Sequence, residues 1–138
     1  MRFLLIAKVL FVADITRLLN KKFHDLVRKR SYRQGDSIMP GTVLTITDIQ
    51  RIIKPLAEKY HISEVYIFGS YARNEATIDS DIDFLIFGGK DFKLTSVFAF
   101  AEELRMIIQK EIDVFEINEV NKDSLFYETI MKERVKVA

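Results

Sequence analysis

The 138-residue sequence contains no cysteine and only two histidines. Disulfide bonds and thiolate metal sites are therefore excluded. The two histidines, His24 and His61, lie far apart in the sequence, without the spacing of a metal-ligand pair. A zinc motif, a Walker-type phosphate loop and the nucleophile elbow of a serine hydrolase are also lacking. These classes of site are excluded before any motif is considered.

The sequence also lacks an apolar run that is long enough to span a membrane. The nearest candidate, Phe3 to Ala13, is interrupted by Lys8 and followed by Asp14. It has a charged start and an apolar centre, but no small-residue cleavage site follows, so a signal peptide is not predicted. We therefore expect neither a membrane-spanning segment nor export.

Charge divides the chain into two parts. Residues 1–38 carry nine Lys or Arg and three Asp, a net charge of +6, and residues 39–138 carry a net charge of −5. The acidic balance of residues 39–138 argues against a nucleic-acid surface there. We expect residues 39–138 to form one domain and residues 1–38 to be a basic, apolar extension. Three interpretations of the extension are open: an amphipathic helix that docks on a partner or a membrane surface, an added helix packed on the core, or a segment upstream of a true start at Met39.

The most informative stretch is IFGSYARNEATIDSDIDFLI, from Ile67 to Ile86. Its second apolar run begins with Asp81-Ile82-Asp83 and is predicted to be a strand. Residues i and i+2 of a strand share one face, so Asp81 and Asp83 would project together. Two carboxylates that close repel each other unless a cation joins them, and Mg²⁺ prefers oxygen ligands. Taken alone, an Asp-x-Asp pair is more often a capped turn followed by a solvated edge residue.

A Gly-Ser pair precedes the aspartates by ten residues. Gly69 directly follows the apolar run VYIF, and Ser70 is predicted to open a short helix near residues 70–73. A glycine lets a phosphate approach the backbone closely, and the amides at a helix N-terminus attract anions. The Ser70 hydroxyl could contact a phosphate oxygen. Taken alone, Gly-Ser is also typical of a plain strand-to-helix turn.

A third carboxylate is predicted on a later strand. In the run from Lys110 to Ile117, Asp113 shares a face with Phe115 and Ile117 if the segment is extended. Glu111 and Glu116 are competing candidates, and spacing alone does not exclude them.

The remaining elements follow from apolar periodicity. Thr47 to Gln50 fits a capping box at the start of a helix over residues 45–60. The other predicted elements are strands over 64–68, 81–87 and 112–117, helices over 95–109 and 122–132, and a short edge strand at Val135 to Val137.

Gly69-Ser70, Ala72, Arg73, Glu75, Ala76 and Ser80, followed by Asp81-Ile82-Asp83 and an apolar strand, resemble the signature of the polymerase-β-like nucleotidyltransferases. The similarity is greatest to the minimal nucleotidyltransferases and covers about residues 42–138. It implies an α/β (α+β) fold, with a small mixed sheet flanked by helices. It assigns catalysis and Mg²⁺ binding to Asp81, Asp83 and Asp113, and binding of ATP to Gly69, Ser70 and Arg73. For Arg73 the alternative is an ion pair with Glu75 or a neighbouring acid that holds the loop.

The same resemblance implies a function. Minimal nucleotidyltransferases resemble the antitoxins of toxin–antitoxin pairs, which transfer AMP from ATP to a tyrosine of a helical ribonuclease toxin of the HEPN type. We therefore expect a cytoplasmic enzyme with a HEPN partner, ATP as substrate and no membrane or nucleic-acid partner, and its oligomeric state stays open. Larger relatives carry acceptor-binding domains, and we expect none beyond residue 138 here. The alternatives are a small-molecule, aminoglycoside-like nucleotidyltransferase with a separate acceptor subunit, and a non-catalytic binding antitoxin.

Overall fold

The structure is a computed structural model that describes residues 41–138. The predictions for residues 1–38 and for a start at Met39 lie outside the described residues. Within residues 41–138 no helix has the length and apolar character needed to cross a membrane.

The first helix of the described residues, α1, spans Ile46–Lys59. Its cap is Thr45, whose hydroxyl accepts a hydrogen bond from the Asp48 backbone N–H at 3.1 Å. The Asp48 carboxylate accepts in return from the Thr45 N–H at 3.1 Å, which completes a capping box. The capping box predicted at Thr47 is therefore wrong by two residues, because Thr45 has the extended backbone that an N-cap requires and Thr47 already lies within the helix.

In the part of the chain that the structure describes, four strands form one mixed sheet. They are β1 (Ile62–Phe68), β2 (Ile82–Gly88), β3 (Ile112–Glu116) and β4 (Val135–Lys136), in the spatial order β3-β2-β1-β4. β1 pairs antiparallel with β2 and β4, and β2 pairs parallel with β3. The predicted mixed sheet and the short terminal edge strand are confirmed.

Helices lie on both faces of the sheet. α1 contacts β1, the second helix α2 (Ser96–Ile108) contacts β3, and α1 and α2 contact each other. The sheet face with Val65, Ile67, Ile82, Phe84 and Ile86 is fully buried. On the opposite face, the third helix α3 (Leu125–Glu133) packs against Phe68 and Leu85, and this face also carries the acidic residues of the site.

The short helix predicted over residues 70–73 is absent, and the segment forms hydrogen-bonded turns. The Arg73 N–H donates to the Gly69 carbonyl at 3.1 Å, and the Glu75 N–H donates to the Ser70 carbonyl at 2.9 Å. Asn74 has φ 57°, in the left-handed region, which stops helical propagation after one turn.

Candidate active site

Asp83 and Asp113 lie side by side on neighbouring strands. Asp83 is the second residue of β2 and is aligned with Asp113 on the parallel strand β3. Asp83 is also aligned with Phe68, the last residue of β1. Partners that are aligned across a sheet point to the same face, so strand register brings these two carboxylates together. Asp81 lies one residue before β2 rather than within it, and its side chain is exposed.

The electrostatics of the site show that its acids interact. Burial of the half-buried Asp83 carboxyl, together with the negative charges of Asp113 and Asp81, raises its pKa from 3.8 to about 6. The positive charge of Arg73 acts in the opposite direction. A carboxyl crowded by like charges is a feature of sites that bind cations or move protons.

Gly69 provides space for the Asp83 carboxylate. Its φ is 71°, a conformation that side chains other than glycine rarely adopt. A Cβ atom at position 69 would lie 2.6 Å from Asp83 Oδ2, which is closer than van der Waals contact allows. The strand-end glycine is therefore required by both backbone conformation and proximity to the acid. Gly69 therefore lies directly beside the Asp83 carboxylate.

Arg73 is held by two acids. Its Nε donates to Glu75 at 2.8 Å, and its Nη1 donates to Glu133 at the end of α3 at 2.9 Å. The pairing with Glu75 that was left open as an alternative is present, and the Glu133 contact was not predicted. Binding of Arg73 to a nucleotide stays a prediction.

Strand register distinguishes the three candidates for the third carboxylate. Glu116 is aligned with Ile86, three residues further along β2 than Asp83, and is 5% exposed. Its carboxylate accepts hydrogen bonds from the Asn118 backbone N–H at 2.8 Å and from the Asn118 side chain at 3.0 Å, so it caps the 3₁₀ turn after β3. Glu111 precedes β3, and its carbonyl accepts from the Ile82 N–H. Asp113 alone of the three is aligned with Asp83.

The donor chemistry of the site fits Mg²⁺, because Asp81, Asp83 and Asp113 offer only carboxylate oxygens. Within residues 41–138 no three acidic or imidazole side chains are already arranged to enclose a metal ion. A closed cage is not needed, since Mg²⁺ usually binds one or two protein carboxylates and takes its other ligands from phosphates and water. The residues therefore fit an open magnesium site that substrate completes.

Lys110 is a residue of this region that the sequence analysis missed. Its ammonium group donates to the Ile78 carbonyl at 2.6 Å and to the Ser80 carbonyl at 3.4 Å. Lys110 lies just before β3, and Ser80 lies just before Asp81. The lysine thereby ties the loop that carries Asp81 to the strand that carries Asp113. In the sequence, the position of Lys110 is marked only by its long cationic side chain, three residues before Asp113.

Comparisons with known proteins give the family. The family described as polymerase beta, nucleotidyltransferase, matches residues 50–137. MJ0435 of Methanocaldococcus jannaschii, provisionally named a protein adenylyltransferase, is 36% identical over 94 residues, which cover 68% of this chain and 99% of the relative. Protein adenylyltransferase MntA of Thermococcus cleftensis is 31% identical over 102 residues, which cover 69% of this chain and 98% of the relative.

A solved structure agrees at the level of the fold. The complex of a tri-AMPylated HEPN toxin with its MNT antitoxin, from Shewanella oneidensis, contains a chain that matches with a TM-score of 0.52 and 14% identity. The match covers 68% of this chain and 72% of that chain. The resemblance inferred from the Gly-Ser and Asp-x-Asp motifs is thus confirmed, and the chain belongs to the polymerase β nucleotidyltransferase family.

Proposed function

We propose that this nucleotidyltransferase transfers AMP from ATP, with Mg²⁺, to a tyrosine hydroxyl of a helical HEPN-type toxin and so acts as its antitoxin. The observation that carries the proposal is the alignment of Asp83 with Asp113 beside the positive-φ Gly69. Support comes from relatives that are named protein adenylyltransferases and from the fold neighbour seen with an AMPylated HEPN toxin. Because ATP is the proposed substrate, we assign the activity to the cytoplasm.

In this proposal each part of the site has a distinct role. Mg²⁺, when bound, would neutralise charge on the triphosphate and on the transition state. Asp81, Asp83 and Asp113 would hold the cation. The backbone at Gly69 and the Ser70 hydroxyl receive phosphate oxygens. Arg73, already held by Glu75 and Glu133, places a positive charge next to these acids.

The proposed reaction is a single in-line displacement. The tyrosine oxygen forms a bond to the α-phosphorus, and the bond from that phosphorus to the β-phosphate bridging oxygen breaks. Pyrophosphate leaves with the electron pair, and the hydroxyl proton passes to Asp113. Such a reaction asks the protein mainly for positioning and electrostatic stabilisation, which a domain of this size can provide.

Incubation with α-labelled ATP, Mg²⁺ and the protein encoded beside this one tests the proposal. We expect label on a tyrosine of that neighbour with the wild type and no label with the double variant Asp81→Asn/Asp83→Asn. Asp91→Asn is the matched control, because Asp91 is an exposed acid in the turn after β2. Addition of EDTA should abolish labelling by the wild type and by the control variant.

Two other outcomes would contradict the proposal. A neighbour that is inhibited equally by the wild type and the double variant, without label, would indicate a non-catalytic binding antitoxin. Label on an added aminoglycoside, instead of the protein, would indicate a small-molecule nucleotidyltransferase with a separate acceptor subunit.

A further inference from the structure

Three aromatic rings lie together beside the carboxylates, and we refer to Phe68, Phe115 and Phe126 as the aromatic cluster. The centroid of the Phe126 ring is 5.9 Å from that of Phe68 and 5.4 Å from that of Phe115. Both pairs are edge-to-face, and Phe68 and Phe115 are 5.8 Å apart. The cluster joins the end of β1, the second half of β3 and the first turn of α3.

Strand register connects this cluster to the acids. Phe68 is aligned with Asp83, and Asp83 with Asp113, so these three residues form one row across the sheet face. Phe115 is the next residue of β3 on that same face after Asp113. Two residues of a strand advance by about 6.6 Å, so the cluster extends from Phe68 in the acidic row to Phe115 in the next row. α3 carries Phe126 onto this face, where it contacts rings from both rows.

Phe126 is the accessible member of the cluster. It is 45% exposed, whereas Phe68, with which it packs, is 6% exposed. Phe126 packs against the other two rings of the cluster, and part of its surface is open to solvent on the face of the sheet that carries the acids. A half-exposed phenyl ring supported in this way can stack against another planar ring without reorganising the core.

We propose that Phe126 is the stacking platform for the purine base of the bound nucleotide. The inference rests on the proposed nucleotidyl transfer and deepens it, because it assigns the part of the site that binds the base. The ribose separates the base from the α-phosphate. A phosphate held at the acidic row therefore leaves the base within reach of a ring one strand step away. Stacking recognises the area of a planar ring, so it favours purines over pyrimidines and gives little discrimination between adenine and guanine.

Equilibrium binding of two ligands by the full chain tests the assignment. One ligand is a non-hydrolysable ATP analogue with Mg²⁺, and the other is Mg²⁺-tripolyphosphate, which has the phosphates but no base. One-sided stacking is worth a factor on the order of 10 in affinity. We therefore expect Phe126→Ala to weaken binding of the ATP analogue about 10-fold and to leave tripolyphosphate binding unchanged. Phe126→Trp should restore the wild-type ratio of the two affinities.

Leu125→Ala is the matched control, because Leu125 is the adjacent apolar residue of α3 and is 78% exposed. It should bind both ligands as the wild type does. Unchanged binding of the ATP analogue by Phe126→Ala would overturn the inference alone. If that variant instead required more partner protein for half-maximal labelling, the ring would serve the acceptor rather than the base. A wild type that binds neither ligand would overturn both this inference and the proposed function.

Discussion

Neutralising Asp83 should stabilise the fold while it destroys the site. Asp83 is half-buried, and the charges of Asp113 and Asp81 lie close to it. Without a cation, its ionised form is therefore less favourable in the folded protein than in the unfolded chain. Asp83→Asn keeps the shape of the side chain and removes the charge.

The size of this effect follows from the pKa of Asp83. A pKa of about 6 in the folded protein and 3.8 in the unfolded chain corresponds to at most about 3 kcal/mol. Because the carboxyl is only half-buried, solvent screens part of the repulsion, and we expect about 1–2 kcal/mol. The folded wild type binds more protons than the unfolded chain between pH 3.8 and about 6. Wild-type stability therefore falls as the pH rises through this window, and the penalty is complete above it.

Urea unfolding followed by circular dichroism, in EDTA, measures the difference. At pH 7.5 Asp83→Asn should be more stable than the wild type by about 1–2 kcal/mol, and at pH 5 by about half as much. The control Asp91→Asn should match the wild type at both pH values. Mg²⁺ should then stabilise the wild type and leave Asp83→Asn nearly unchanged. If Asp83→Asn is no more stable than the wild type at pH 7.5, crowding of like charges at Asp83 is refuted.

Two further predictions concern residues around the acids, and a third concerns residues 1–38. Gly69→Ala should lower the free energy of unfolding by about 1–3 kcal/mol and reduce AMP transfer by more than about 10-fold. The reason is that a Cβ atom at this position would clash with Asp83 and that the backbone of Gly69 has a positive φ. Wild-type kinetics of the variant would contradict this. Lys110→Met should raise the Mg²⁺ concentration for half-maximal binding on the order of 10-fold, because it removes the hydrogen bonds that hold the loop before Asp81. The control Lys93→Met, at an exposed position, should leave this concentration unchanged. Equal Mg²⁺ affinity in the two variants would refute a role of Lys110 in holding the loop. We also propose that residues 39–138 form the functional domain, so a chain that begins at Met39 should retain wild-type labelling; loss of labelling in a folded chain would assign residues 1–38 a part in the reaction.

Most of the fold could be predicted because its elements bury regular apolar patterns. β1, β2, α2 and β3 were placed within two residues of their observed ends, since runs such as Ile82 to Phe87 are apolar after the acids and are bounded by turn residues. The errors fall where local hydrogen bonds decide the structure. Thr45 and Thr47 each have a hydroxyl that could cap the helix. Thr45 is the cap because its backbone is extended, whereas Thr47 already lies within α1. The segment after Gly69, which was expected to be a helix, forms hydrogen-bonded turns that end at Asn74, whose φ lies in the left-handed region.

The residue types of the site were evident from the sequence, because an Asp-x-Asp pair at a strand start and a Gly-Ser pair ten residues earlier are local patterns. Their mutual arrangement is a property of the sheet. Nothing in the spacing distinguishes Asp113 from Glu111 or Glu116, and the parallel register of β2 and β3 brings Asp113 beside Asp83. The contacts of Lys110 with the loop before Asp81, and of Arg73 with Glu133, join residues 30 to 60 positions apart.

The sequence by itself therefore determined the chemistry that is available, namely carboxylates, a glycine at the end of a strand and no thiolate ligand. It also determined the strands that carry these groups, because apolar runs and the turn residues that bound them are local features of the sequence. Tertiary structure alone decided which acids face each other, which contacts hold Arg73, and which ring is left exposed beside the site. Strand register and helix docking are set by packing across the whole core, so residues far apart in the chain become neighbours only when the sheet is complete.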